Sequence, residues 1–141
     1  MISGASVDSY LLEKSRVIHQ LGGERNFHIF YQMMSGLPSD QKSRLGLTNT
    51  DDFRYLNQSG CSVVEDMDDV KEFKATMEAL ETLDFSESEI DTIFEVVAAI
   101  LHLGNIQFVG DEQAEIDSSS KSTLEQAAGL MQVSAQELED A

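Results

Sequence analysis

The residues with most chemical potential form an acidic run, Asp66-Met67-Asp68-Asp69. A calcium loop needs oxygen ligands at positions one, three and five and a glycine at six. Counted from Asp66, position five is Val70 and position six is Lys71, so the pattern fails. With Glu65, these acids instead suit a helix N-terminus, where the dipole favours negative charge. His19, His28, His102 and the single cysteine, Cys61, share no metal-ligand spacing. His28 and His102 lie in apolar helical patterns and read as hydrogen-bonded packing residues. The chain has no Gly-x-Ser-x-Gly elbow, no Gly-x-x-x-x-Gly-Lys-Ser/Thr loop and no Gly-x-Gly-x-x-Gly. These residues make no catalytic constellation, and no metal or cofactor is expected on them.

Charge narrows the choice of partners. The 141 residues carry 26 acids against 9 bases, a net charge of −17. Phosphate contacts need clustered Lys and Arg, so nucleic acid is excluded as an expected partner. An anionic membrane surface is disfavoured for the same reason. One cysteine allows no internal disulfide and fits a reducing compartment. Cys61 reads as a structural or loop thiol. With 41% hydrophobic residues the chain has enough apolar material for one folded unit over residues 1–141.

The elements are organised around one stretch, Ser86 to Phe108. Ile90, Ile93, Phe94, Val97, Ile100 and Leu101 recur at helical spacing, with Val96 and Leu103 widening the face. Ser86 and Glu89 make a capping box, and Gly104 marks a left-handed stop. The spacing predicts a helix over residues 87–103, too short and too interrupted by charge for a membrane span. The fold class is mainly α: a helical subdomain around this central helix, with one N-terminal strand at Ile2–Leu12. That strand has few partners within the chain, since other β-capable pieces are limited to Ser62–Val64 and Ile106–Val109. Its sheet is therefore expected to lie outside these residues, and its free edge predicts self-association of the isolated piece.

Between these landmarks the chain alternates breaks and short helices. Glu13 to Arg16 is a charged break, and a helix begins near Glu24 with Phe27, Phe30, Tyr31 and Met34 on one face. Ser39-Asp40 caps a helix stopped at Gly46. Asp68 or Asp69 caps the next, with Glu72 pairing back to Asp69 and a stripe of Val70, Phe73, Met77 and Leu80. Gly110 to Ser120 is a polar, acidic loop. Ser122 with Glu125 and Ser134 with Glu137 mark two last helices, the second barely started.

Several segments are specific in a way that periodicity is not. Gly4-Ala5-Ser6 followed by Tyr10-Leu11-Leu12-Glu13-Lys14-Ser15-Arg16-Val17 resembles the strand and turn after switch I in myosin motor domains. Glu24-Arg25-Asn26-Phe27-His28-Ile29-Phe30-Tyr31-Gln32 is similar to the next helix of that family. Tyr55-Leu56-Asn57-Gln58 and Ala99-Ile100-Leu101-His102-Leu103-Gly104-Asn105-Ile106 continue the likeness in order. It covers essentially all 141 residues and implies part of the upper 50-kDa subdomain of a myosin motor.

The resemblance implies a parent that is an ATP-driven, actin-based motor of the cytoplasm and cytoskeleton. Its Mg-ATP would be held by a phosphate loop and switches outside this segment, so the segment alone is expected to be inactive. Its partners would be the remaining motor subdomains and, through the full head, the actin filament. Ile2–Leu12 would be a transducer strand leaving switch I. Ser6, Tyr10, Leu11 and Leu12 would border the cleft between the 50-kDa subdomains, and Glu13 and Arg16 would fix the strand-to-helix turn by ion pairing. Val109 to Lys121 would be a variable loop approaching actin. With Gly110, Asp111, Glu112, Glu115 and Asp117 against Lys121, it would be a weak anchor on an acidic filament. The other reading is a free-standing acidic helical adaptor.

Overall fold

The computed structural model describes residues 10–110 and 114–141. Its α-helices in chain order are α1 (Lys14–Ile18), α2 (His28–Gly36), α3 (Ser39–Leu45), α4 (Arg54–Asn57), α5 (Asp69–Thr82) and α6 (Glu87–Gly104), then α7 (Lys121–Leu130) and α8 (Ala135–Glu139). Among the described residues the strands are β1 (Phe108–Val109) and β2 (Glu115–Ile116), paired antiparallel with Phe108 opposite Ile116. The mainly helical class read from the sequence is the class observed.

α6 is the centre, as its periodicity predicts. Ser86 accepts the Glu89 backbone N–H and Glu89 returns a bond to the Ser86 N–H, so two orphan donors are satisfied at its start. Its buried face carries Ile90, Phe94, Ala98 and Leu101, and Val96, expected to widen that face, is exposed. α7 lies along α6, α5 packs on α2, and α3 and α4 also contact α6. The interior joins Phe30, Tyr31, Met33, Leu45, Leu56 and Phe73 to the α6 face. No helix among the described residues is long and apolar enough to cross a membrane.

Two glycines that close helices also admit a neighbouring ring. Gly104 stays helical, and Asn105 follows it as a right-handed cap. A Cβ on Gly104 would sit 2.6–2.8 Å from the Tyr55 ring, and one on Gly36, inside α2, 2.3–2.6 Å from Phe73. Both are bare so that an aromatic ring can press on helix backbone. Gly46 does take the left-handed position after α3, at φ 66°.

Left-handed stops also occur without glycine. Asp84 (φ 61°) ends α5: the Phe85 N–H donates to Leu80 O and the Asp84 N–H to Glu81 O. Gln132 (φ 58°) ends α7 in the same manner.

Other boundaries differ from expectation for local reasons. The charged break at Lys14–Arg16 is helix α1. α2 starts at His28 rather than Glu24, because the Asn26 side chain turns back to accept the Phe27 N–H at 2.8 Å. Asp68 is the cap of α5 and accepts from the Val70 and Lys71 backbones, while Asp69 is engaged elsewhere and makes no box with Glu72. Ser122 lies inside α7, which follows a 3-10 turn at Ser118–Ser120 capped by Asp117. Ser62–Val64 forms no strand.

Candidate functional site at the N-terminal junction

Residues 2–9 of the Ile2–Leu12 strand, Ser6 among them, lie outside the described residues. Tyr10, Leu11 and Leu12 are described and form no strand; they are exposed, Tyr10 and Leu11 almost fully. A ladder needs a neighbouring backbone. Here the Leu12 carbonyl instead takes the Lys14 N–H at 2.8 Å, with Glu13 between them at φ −69°, ψ 77°. This is an inverse γ-turn, a device common at strand ends. It redirects the chain into α1.

A five-residue helix is far below the length that persists alone in water. α1 is held from outside, through its C-terminal carbonyls. Gln20 Nε2 donates to Arg16 O at 2.6 Å, Asn26 Nδ2 to Val17 O at 2.9 Å and Gln58 Nε2 to Ile18 O at 3.0 Å. Three side-chain amides from three places thus cap one helix end. On the other side Arg16 Nε meets Glu13 Oε2 at 2.7 Å, and its Nη1 reaches Glu24 and Arg25 O. The Glu13 contact raises the Arg16 pKa above its ordinary value.

Asn26 is the centre of this junction and is 1% exposed. Besides Val17 it donates to Tyr55 O at 2.9 Å, and its own backbone N–H donates to the Tyr31 hydroxyl at 3.2 Å. Beside it the buried Arg25 guanidinium lies 3.8 Å over the Tyr31 ring and pairs with Asp69 at 2.8 Å. Asp69 is the first residue of α5, so that charge ties the junction to a second helix. From Tyr55 the path runs on to α6: its ring covers Gly104, Asn105 Oδ1 accepts the Arg54 N–H at 2.7 Å, and Asn105 Nδ2 donates to Asp52 O at 2.7 Å. The segments 10–17, 24–32, 55–58 and 99–106, separate in sequence, meet here.

The end of the acidic loop meets this path: Ser119 and Ser120 line a pocket with Asp52, Arg54, Asn57 and Asn105. Gly110 turns at φ 103°, Asp111 and Glu112 lie outside the described residues, and Glu115 is an exposed strand residue of β2. Asp117 is a cap: it accepts the Ser119 hydroxyl at 2.6 Å and backbone N–H at 2.8 Å, contacts that hold its carboxyl below the usual range. His102, in α6, is buried with Nε2 2.9 Å from Leu45 O, as a packing histidine should be. His28 is exposed.

A profile of the myosin head (motor domain) matches residues 1–141. The chain belongs to the myosin head family. It is 46% identical over 140 residues to the myosin ID heavy chain of Dictyostelium discoideum, covering 98% of this chain and 13% of that protein. It is 48% identical over 128 residues to the myosin-K heavy chain of the same organism, covering 91% and 15%. Against unconventional myosin-Ic of Gallus gallus the figures are 40% over 139 residues, 98% and 14%. The chain therefore spans about one-seventh of the length of these relatives. The match disfavours the free-standing adaptor.

Arg25, Asn26, Gln58 and Asn105 lie within the segments that carry the likeness to the myosin head, but their sequence context assigns them no role. Their signal was their type: amides and a guanidinium inside segments that otherwise supply core residues. Of the four, Arg25 and Asn26 are buried; a buried polar group is the informative exception in a protein interior, and its burial shows only in three dimensions.

Proposed function

We propose that the chain is part of the upper 50-kDa subdomain of an ATP-driven, actin-based motor of the cytoskeleton. Its role there is mechanical: the arm through Tyr10–Leu12 takes up movement from the nucleotide switch and passes it to the helices beside the actin-binding cleft. The observation that carries this reading is the Asn26 junction, which joins α1, α2, α4 and α5 by buried and half-buried polar contacts. Polar contacts of fixed geometry transmit displacement better than an apolar surface that can slide. Exposed Tyr10, Leu11 and Leu12 fit a face that the rest of the head would cover.

Mg-ATP is proposed to be held outside these residues. No glycine-rich phosphate loop is present, and Arg16, Arg25 and Arg44 are already committed to carboxylates. The nucleotide step is assigned to the rest of the head. The β1–β2 loop is proposed to face actin as a weak contact, its exposed Glu115 opposing an acidic filament.

Amide hydrogen exchange on the complete motor head, with and without a non-hydrolysable ATP analogue, tests the coupling. Protection should change together at Lys14–Ile18 and Arg54–Asn57, because Asn26 binds both. A nucleotide response confined to one of these segments would contradict it.

A further inference from the structure

The geometry points to a second surface, away from α1: a groove between α5 and α6 that takes a basic amphipathic segment of a partner protein. α5 packs chiefly on α2 and α6 chiefly on α7, and with Leu37, Pro38 and Gln41 at the start of α3 they line an open groove of about 600 Å³. That volume lies in the range of ligand pockets, ~300–1,000 Å³. Half-buried Met77 and the edges of Phe73, Ile90 and Phe94, which the core already buries, supply its apolar floor. Phe85 stands at the lip, 39% exposed, fixed there by the left-handed turn at Asp84.

The groove's charge has one sign. Glu81, Glu87 and Asp91 line it, and no Lys or Arg does. Arg44 engages Asp91 from outside, whereas Glu81 and Glu87 make no ion pair among the described residues. A second copy would bring the same acidic excess to the contact, 26 acids against 9 bases. Nucleic acid and anionic lipid are repelled likewise. A segment with Leu or Phe anchors at i, i+3, i+4 and i+7 and Lys or Arg between them satisfies both floor and rim. The field of the whole chain would steer it in, and salt would weaken that steering.

The probe is a fluorescein-labelled helical peptide of Leu, Phe and Lys in that pattern, titrated by anisotropy against the complete motor head. Reversing the rim with Glu81→Lys and Glu87→Lys should weaken binding about tenfold, equivalent to ~1.4 kcal/mol. Phe85→Ser should weaken it with no change in charge. Glu125→Lys with Glu139→Lys makes the same charge change on exposed residues outside the groove and should leave affinity within about twofold, the sum of small surface effects. Equal weakening by that control pair would mean attraction to net charge only and would overturn the proposal. So would unchanged binding by the rim and lip variants, or no binding to the wild-type head, which would mean that the groove is filled by another part of the motor.

Discussion

The interior around Phe94 and the junction around Asn26 are both buried, but they are built from opposite chemistry. The interior is apolar, assembled from stripes on α2, α5 and α6, and tolerates small adjustments of packing. The junction is polar and directional: one amide touches α1, the residue before α2, and α4, and each bond fixes an angle as well as a distance. The interior makes the helical body stable, and the junction decides how the N-terminal arm is attached to it.

Substitutions can separate the two. Phe94→Ala, at a side chain 2% exposed, should cost about 3–5 kcal/mol of stability. Asn26→Ala removes three hydrogen bonds made by the side chain, at ~1 kcal/mol each about 3 kcal/mol together. Chemical denaturation of the head, read at its midpoint, ranks them. Urea-induced loss of protection in α1 should precede global unfolding in Asn26→Ala only. If both variants open α1 alike, the distinction between the regions fails.

Smaller changes sharpen it. Gly104→Ala pushes a methyl into the Tyr55 ring and should cost about 1–3 kcal/mol, whereas Gly22→Ala meets nothing within 4 Å and should cost far less. Asp84→Gly relieves a left-handed non-glycine residue and should raise stability by about 0.5 kcal/mol in the same denaturation assay. The pH response tests the caps. Ser86's hydroxyl and backbone N–H hold the Glu89 carboxyl below its ordinary value. The folded pKa is thus depressed, so the stabilisation is complete above the unfolded value, ~4.3, and is lost as pH falls through the folded one. Glu89→Gln should flatten that part of the acid limb, and an unchanged limb would dismiss the cap.

Legibility in the sequence followed this same division. α6 was readable because six apolar residues repeat at helical spacing behind a Ser-x-x-Glu start, and Gly46 because glycine announces a left-handed stop. Asp84 and Gln132 end helices in the same conformation, yet nothing in their type separates them from ordinary surface residues. α1 was read as a break because its support is not local: its carbonyls are capped by Gln20, Asn26 and Gln58, the last about forty positions away. Gly36 and Gly104 were visible as glycines, but the rings they admit, Phe73 and Tyr55, come from distant helices. Periodicity reports which face is buried; it cannot report which polar side chain closes a loop across the fold.

The most direct measurement is the ratio of actin-activated to basal ATPase in a complete motor head carrying Asn26→Ala, with ATP affinity and folding measured on the same preparation. The coupling role predicts ATP affinity near wild type and an activation ratio reduced about fivefold or more, the lower end of allosteric coupling energies. A folded Asn26→Ala head that keeps the wild-type ratio would contradict the account and leave the junction as a structural clasp.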